Sequence, residues 1–211
     1  MPNELVPADQ YNDQSALVVR AIREFAAHIP KSDEPIAIHP DERAREIVNR
    51  ACIKTAGIAG TLAIPPGPAG MALIIPDLVA VWKTQQQMVS DVAACYGKTS
   101  TLNSQLMIYC LFRHGAAVVT RDIAIRVGER LLIKHASLKT MQNILAKLGI
   151  SVSQKLIGKS ISRWVPLVGP AVMSGYSYLD TKRVGKTAIE SFQGPIEMID
   201  ANTEQLETPV S

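Results

Sequence analysis

Two groups of residues in this chain have the types and spacing to do chemistry: an acid set in an apolar stretch, and rows of cations four residues apart. Asp77 is the only charge between Ala56 and Trp82. On a helical wheel it shares a face with Val81, Met88, Val92 and Cys95, while Lys83, Gln86, Gln87 and Ser90 fall on the polar side. An ionised carboxylate on an apolar face is costly unless it is paired or hydrogen-bonded. Two readings are open. Asp77 follows Pro76, so it can sit in the first turn of a helix, where free N–H groups and the helix dipole favour an anion. Alternatively it is a polar anchor or proton-handling group within an apolar region, as intramembrane carboxylates are. Gln85, Asp91 and Thr181 are the candidates to complete a polar network with Asp77.

The cations form two rows, Arg126–Arg130–Lys134 and Lys155–Lys159–Arg163. Read as helices, each row occupies one face. Ile123, Val127 and Leu131 lie opposite the first row; Leu156, Ile157 and Ile161 lie opposite the second. Basic amphipathic helices can rest on anionic lipid, each cation near the surface contributing about 1 kcal/mol. Trp164 suits such an interface. The alternative is the solvated face of a helical bundle. No helix-turn-helix, zinc pattern or aromatic–basic interleaving points to nucleic acid.

Other catalytic patterns are missing. Gly185-Lys186-Thr187 resembles the end of a phosphate loop, but Asp180 stands where its first glycine belongs. There is no HExxH and no GxSxG, and His28, His39, His114 and His135 lack metal-ligand spacing. Neither metal nor cofactor is expected.

The elements that must position these residues read as helices. The chain is 47% hydrophobic but only 5% aromatic, so Ala, Val, Ile, Leu and Met must fill the core, which favours close-packed helices. The apolar run from Ala56 to Trp82 is long enough for a membrane span, but Pro65, Pro66 and Pro68 remove three backbone donors at its centre. It therefore reads as two apolar helices meeting at a turn. Helices are expected over Gln14–Ile29, from Asp41 towards Ile64, and from the turn to Tyr96, with Pro76 kinking or restarting the latter. Others are expected over Thr101–His114, Val118–His135, Ser137–Leu148, Ser151–Trp164 and Ala171–Phe192. The fold expected is all-α, a compact multi-helix bundle with two Pro/Gly-rich apolar turns, the second being Val165–Val172. Residues 1–12 read as a tail, 13–193 as the helical domain, and 194–211 as an acidic tail that frays. Gly175, Thr181, Gly185 and Ala188 in the last helix, and Ala56, Gly57, Ala59 and Gly60 in the second, suggest close helix contacts.

Charge is segregated. Residues 113–186 hold 13 Lys/Arg against 3 Asp/Glu, and the remainder holds 9 against 16. A basic block of this kind can meet anionic lipid or an acidic partner. Cys52, Cys95 and Cys110 show no pairing pattern and suit reduced, buried thiols. The polar, acidic start has no signal-peptide pattern, so a cytoplasmic protein is expected, peripheral at the inner membrane if it meets one.

Two stretches, PPGPAGMALIIPDLVAVWKTQQQMVSDVAACYGK and VPLVGPAVMSGYSYLDTKRVGKTAIESF, resemble the EcsC-like family of bacterial proteins. The first is similar in its Pro/Gly turn, its PD-containing helix, Gln85 with Met88, and the closing Tyr96-Gly97. The second is similar in the series Thr181, Gly185, Ala188; where many members carry an Asn ahead of that Thr, this chain has Ser177 and Tyr178. The resemblance, over about Asp41 to Phe192, implies an all-helical protein doing membrane-linked work, and no catalytic residues.

The leading expectation is a non-enzymatic protein that associates with the cytoplasmic face of a membrane, or with a membrane protein. The apolar hairpin would dock and the basic helices would attract. The alternatives are a hydrolase acting on a lipid-like substrate through Asp77, and a secretion-system effector or its partner. A homo-oligomer is left open.

Overall fold

The computed structural model describes residues 28–61, 68–114, 123–135, 143–147 and 165–200, and the side chains within them except at 61, 68–77, 135, 165–170 and 200. Helix α1 (Pro40–Thr61) opens with Asp41 and Glu42 in its first turn, where the positive end of the helix dipole favours anions. Helix α2 (Pro68–Cys95) runs unbroken through Pro76, although that residue has no N–H for the carbonyl four residues earlier. Gly97 ends it. At φ +69°, it lets its own N–H reach the Ala94 carbonyl (2.8 Å) and the Lys98 N–H reach that of Ala93 (2.8 Å), the paired closure that a left-handed residue makes possible.

After a 3-10 turn (Thr99–Thr101), helix α3 (Ser104–Phe112) is capped by Asn103, whose side chain accepts the Leu106 N–H at 2.9 Å. Leu106 to Phe112 are all buried, so α3 is a core helix. Helix α4 (Val165–Gln193), the longest among the described residues, packs against all three others; the apolar turn expected at Val165–Val172 is thereby corrected, because that stretch forms the first turns of this helix.

The fold is not all-α. Strands β1 (Ala124–Val127), β2 (Arg130–His135) and β3 (Ile196–Asp200) form a three-stranded sheet in the order β1-β2-β3. The β1–β2 pair is an antiparallel hairpin and β2–β3 is parallel. The helix expected over Val118–His135 is therefore corrected to a hairpin over its described part. Gly128, at φ +60°, occupies the first central position of a two-residue turn, the geometry that matches the twist of paired strands. Ile196–Asp200, read as part of a fraying tail, pairs with Leu131–His135. Residues 143–147 are helical. The helices expected over Gln14–Ile29 and Ser151–Trp164 lie outside the described residues, save His28 and Ile29, which are not helical.

The core sits where the helices meet the inner face of the sheet. Ile47, Val48 and Cys52 of α1, Met88, Val89 and Val92 of α2, Leu106 to Phe112 of α3, Val184, Ala188 and Phe192 of α4, and Leu131 and Ile133 of β2 are all buried. Trp82 meets Phe112 edge-on, with ring centroids 5.6 Å apart. Helices α1 and α4 are antiparallel and close. A Cβ on Gly185 would lie 2.5 Å from both Val48 methyls, and one on Gly60 would meet the Ser174 hydroxyl. The last turn of α1 and the N-terminal part of α4 therefore lie at one end of the bundle. At the opposite end the Tyr96 hydroxyl (2.5 Å) and the Gln193 amide (3.0 Å) both donate to Asp41.

Candidate functional site

Midway along the bundle, a polar layer crosses an otherwise apolar interface. Thr55 of α1, Gln85 of α2 and Thr181 of α4 are all buried. The Gln85 amide donates one N–H to Thr181 Oγ1 (3.1 Å) and one to Asp180 Oδ2 (2.9 Å). The two threonine hydroxyls are 2.9 Å apart. Thr55 Oγ1 donates to the Cys52 carbonyl at 3.1 Å, so the proton between the threonines comes from Thr181. The layer is thus a directed chain from Gln85 through Thr181 and Thr55 to the Cys52 carbonyl. Ser177 Oγ adds a bond to the Thr55 carbonyl at 3.2 Å.

Asp180 extends the layer to the edge of the bundle. Its Oδ1 lies 2.6 Å from His114 Nε2, just past the end of α3. A carboxylate accepts only, so Nε2 carries the proton in this pair. An acid–histidine pair held by an amide orients an imidazole as general bases are oriented. Among the described residues, however, no hydroxyl or thiol is bonded to His114, and the nearby threonine hydroxyls are committed to one another. What the arrangement does is hold α4 against α1 and α2: satisfied buried polar groups fix one packing among several apolar ones.

Of the sequence candidates, Gln85 and Thr181 meet here. Asp91 does not. It faces the segment before α1, taking bonds from Ser32 (2.7 Å) and Gln87 (2.8 Å). Asp77 lies on α2 two turns before Gln85, and its side chain is outside those described. Thr55, Ser177, Asp180 and His114 were missed as partners. The available signal was the spacing Ser177–Thr181–Val184–Ala188, which puts polar residues on the buried stripe of an amphipathic helix.

The first cationic row is not a row. In the hairpin register, Arg126 is opposite Leu131 and Arg130 is opposite Val127, so Arg126 lies on the buried face and Arg130 with Lys134 on the other. Arg126 reaches inward to the Glu190 carbonyl of α4 at 2.7 Å. Arg130 pairs with Glu197 at 3.1 Å. The expectation of one basic helical face at 126, 130 and 134 is thereby corrected: its four-residue spacing spans a turn. Lys155, Lys159 and Arg163 lie outside the described residues.

A shallow cleft of about 150 Å³ between α1 and α2 is lined by Arg50, Lys54, Thr84, Gln87, Asp91 and Glu34. It is smaller than the roughly 300–1,000 Å³ of ordinary ligand pockets. Among the described residues no cluster of His, Cys, Asp and Glu could hold a metal.

Among the described residues, exposed large apolar side chains occur singly or in pairs before α1 (Ile36, Ile38), on α1 (Ile53) and on the sheet (Val127, Met198), and as a group of four on α4. Val172 (58%), Tyr176 (55%) and Leu179 (54%) stand exposed on the N-terminal half of α4, on the far side of that helix from Ser177 and Thr181, and Met173 (40%) is exposed on the Ser177 side. Among the described residues, no helix is long and apolar enough to cross a membrane. No protein-family model matches the chain, and neither a curated protein nor a solved structure does.

Proposed function

We propose that this chain is a non-enzymatic protein that docks on the cytoplasmic face of a membrane through the apolar end of its helical bundle. The observation that carries this reading is the exposed stripe Val172–Tyr176–Leu179 on α4. Burying such side chains in lipid is favourable by roughly 25 cal/mol per Å² of apolar surface. The stripe lies towards the end where α1 finishes at Thr61 and α2 begins at Pro68, the end at which the described residues 56–61 and 68–75 carry no charge. Helices that dip into an interface need no spanning length. The EcsC-like resemblance belongs to the same proposal. It is supported by the way its two motif stretches meet, Gln85 bonding Thr181 while Met88 and Ala188 are buried in one core.

Flotation with neutral phosphatidylcholine vesicles tests the reading. The full-length protein is expected in the lipid fraction. Exchanging both Tyr176→Ser and Leu179→Ser should lower its partition about tenfold, while a cooperative melt and an unchanged circular-dichroism spectrum show that the fold is kept. A protein that stays at the bottom of the gradient, or a double variant that floats as well as the parent, defeats the proposal. Recovery only with reconstituted membrane protein would move the docking partner from lipid to protein.

A further inference from the structure

The geometry points to a second part of the same surface: a cationic collar, Lys182, Arg183 and Lys186 of α4, that binds the headgroups of anionic lipid. The inference rests on the reading that the apolar end meets a membrane. Val172, Tyr176, Leu179, Arg183 and Lys186 follow one another at steps of four and three, and all five are exposed. Such steps keep them within about 80° of the helix circumference. The stripe is apolar for its first ~10 Å and cationic for the next ~10 Å, at 1.5 Å per residue. Lys182 flanks it, also exposed. Burial and the Asp180 carboxylate hold the Tyr176 hydroxyl above its ordinary value, and the Arg183 charge partly offsets them.

The order along the stripe matches a bilayer surface, where an apolar interior gives way to anionic headgroups within several ångströms. The acids near it are already engaged. Asp180 is held by His114 and Gln85. Glu190 ends the stripe, where it pairs with Arg113 at 3.1 Å and lies 3.8 Å from Lys186. The wider charge distribution agrees. Over 47–61 of α1, 68–90 of α2 and 165–189 of α4, the cations are Arg50, Lys54, Lys83, Lys182, Arg183 and Lys186, against the acids Asp77 and Asp180, with Glu46, Asp91 and Glu190 bounding this part of the bundle. Among the described residues the cations next to the apolar stripe outnumber the acids, and a bilayer carrying negative charge is the complementary occupant.

Flotation on phosphatidylcholine vesicles and on phosphatidylcholine mixed with phosphatidylglycerol tests the collar. The parent protein should prefer the anionic vesicles roughly a hundredfold, the sum of three cations near the surface. It should lose that preference as salt rises. The triple variant Lys182→Gln, Arg183→Gln, Lys186→Gln should bind neutral vesicles as before and show no preference; Arg130→Gln should behave as the parent. An equal or salt-indifferent preference in the parent, or an undiminished one in the triple variant, overturns the collar and leaves the apolar docking intact. Failure to float on either vesicle removes the docking itself and the collar with it. A dimer in plain buffer that Leu179→Ser dissolves would assign the stripe to a second copy of the chain and overturn the inference.

Discussion

At the scale of residues, the polar layer is a cooperative unit rather than a set of separate bonds. Thr181 is donor to Thr55 and acceptor from Gln85 at once. Thr181→Val therefore strands a buried amide N–H and a buried hydroxyl oxygen, and unpaired buried groups cost about 1–3 kcal/mol. Thr55→Val strands the Thr181 hydroxyl, while the Cys52 carbonyl, inside α1, keeps its helical bond. With both hydroxyls replaced by methyls, their mutual loss is counted once. The double variant should be destabilised by less than the sum of the singles, with a coupling of about 0.5–3 kcal/mol. Urea denaturation of the four proteins measures it. A strictly additive cycle would mean that the two hydroxyls do not act on each other.

At the scale of elements, α1 and α4 owe their close approach to glycine, and two glycines show the contrast. Gly185 faces Val48, whose methyls lie 2.5 Å from where a Cβ would be, whereas Gly57 has open space. Gly185→Ala must push the helices apart and should destabilise by about 1–3 kcal/mol. Gly57→Ala meets nothing and should stabilise by about 0.4–1 kcal/mol through helix propensity and a less flexible unfolded chain. Thermal melts of both separate the packing role from the propensity effect; equal shifts of one sign would refute it. The helices themselves were legible because apolar residues recur at helical spacing and Pro, Asn and Gly punctuate them. The sheet was not. Arg126, Arg130 and Lys134 fit a helical face by spacing alone. Yet β-branched Ile123, Ile125 and Val127 before Gly128 carried the opposite message, and periodicity cannot arbitrate in so short a run. The parallel strand β3 depends on a partner 65 residues away, Leu131 beside Ile196, which no local pattern encodes. The site was half legible for a similar reason. Gln85 and Thr181 stand out as polar residues on apolar faces, but pairing them with Thr55 and His114 needs the tertiary arrangement.

At the scale of the whole molecule, the three thiols report on the integrity of one core. Cys52, Cys95 and Cys110 are all free and buried, in α1, α2 and α3 respectively. Burial pushes the Cys95 thiol up to about 11 and the Cys110 thiol up to about 12, from an ordinary 9.0, and raises Cys52 as well. A thiol with a raised value in the folded state holds its proton more tightly there than in the unfolded chain. Its contribution is complete below the unfolded value near 9 and is lost as pH climbs through the folded one. Stability should therefore be level across neutral pH, as far as these groups decide it, and fall between about pH 9 and pH 12. Replacing Cys110 by Ala, which cannot ionise, should flatten part of that fall while lowering stability at pH 7 through the lost packing. The same burial predicts that a thiol reagent at pH 8 labels the native protein slowly, at the rate of opening, and all three positions together once urea unfolds it. Rapid native labelling of any one cysteine would show that its helix leaves the core independently, so that the bundle does not open as one body.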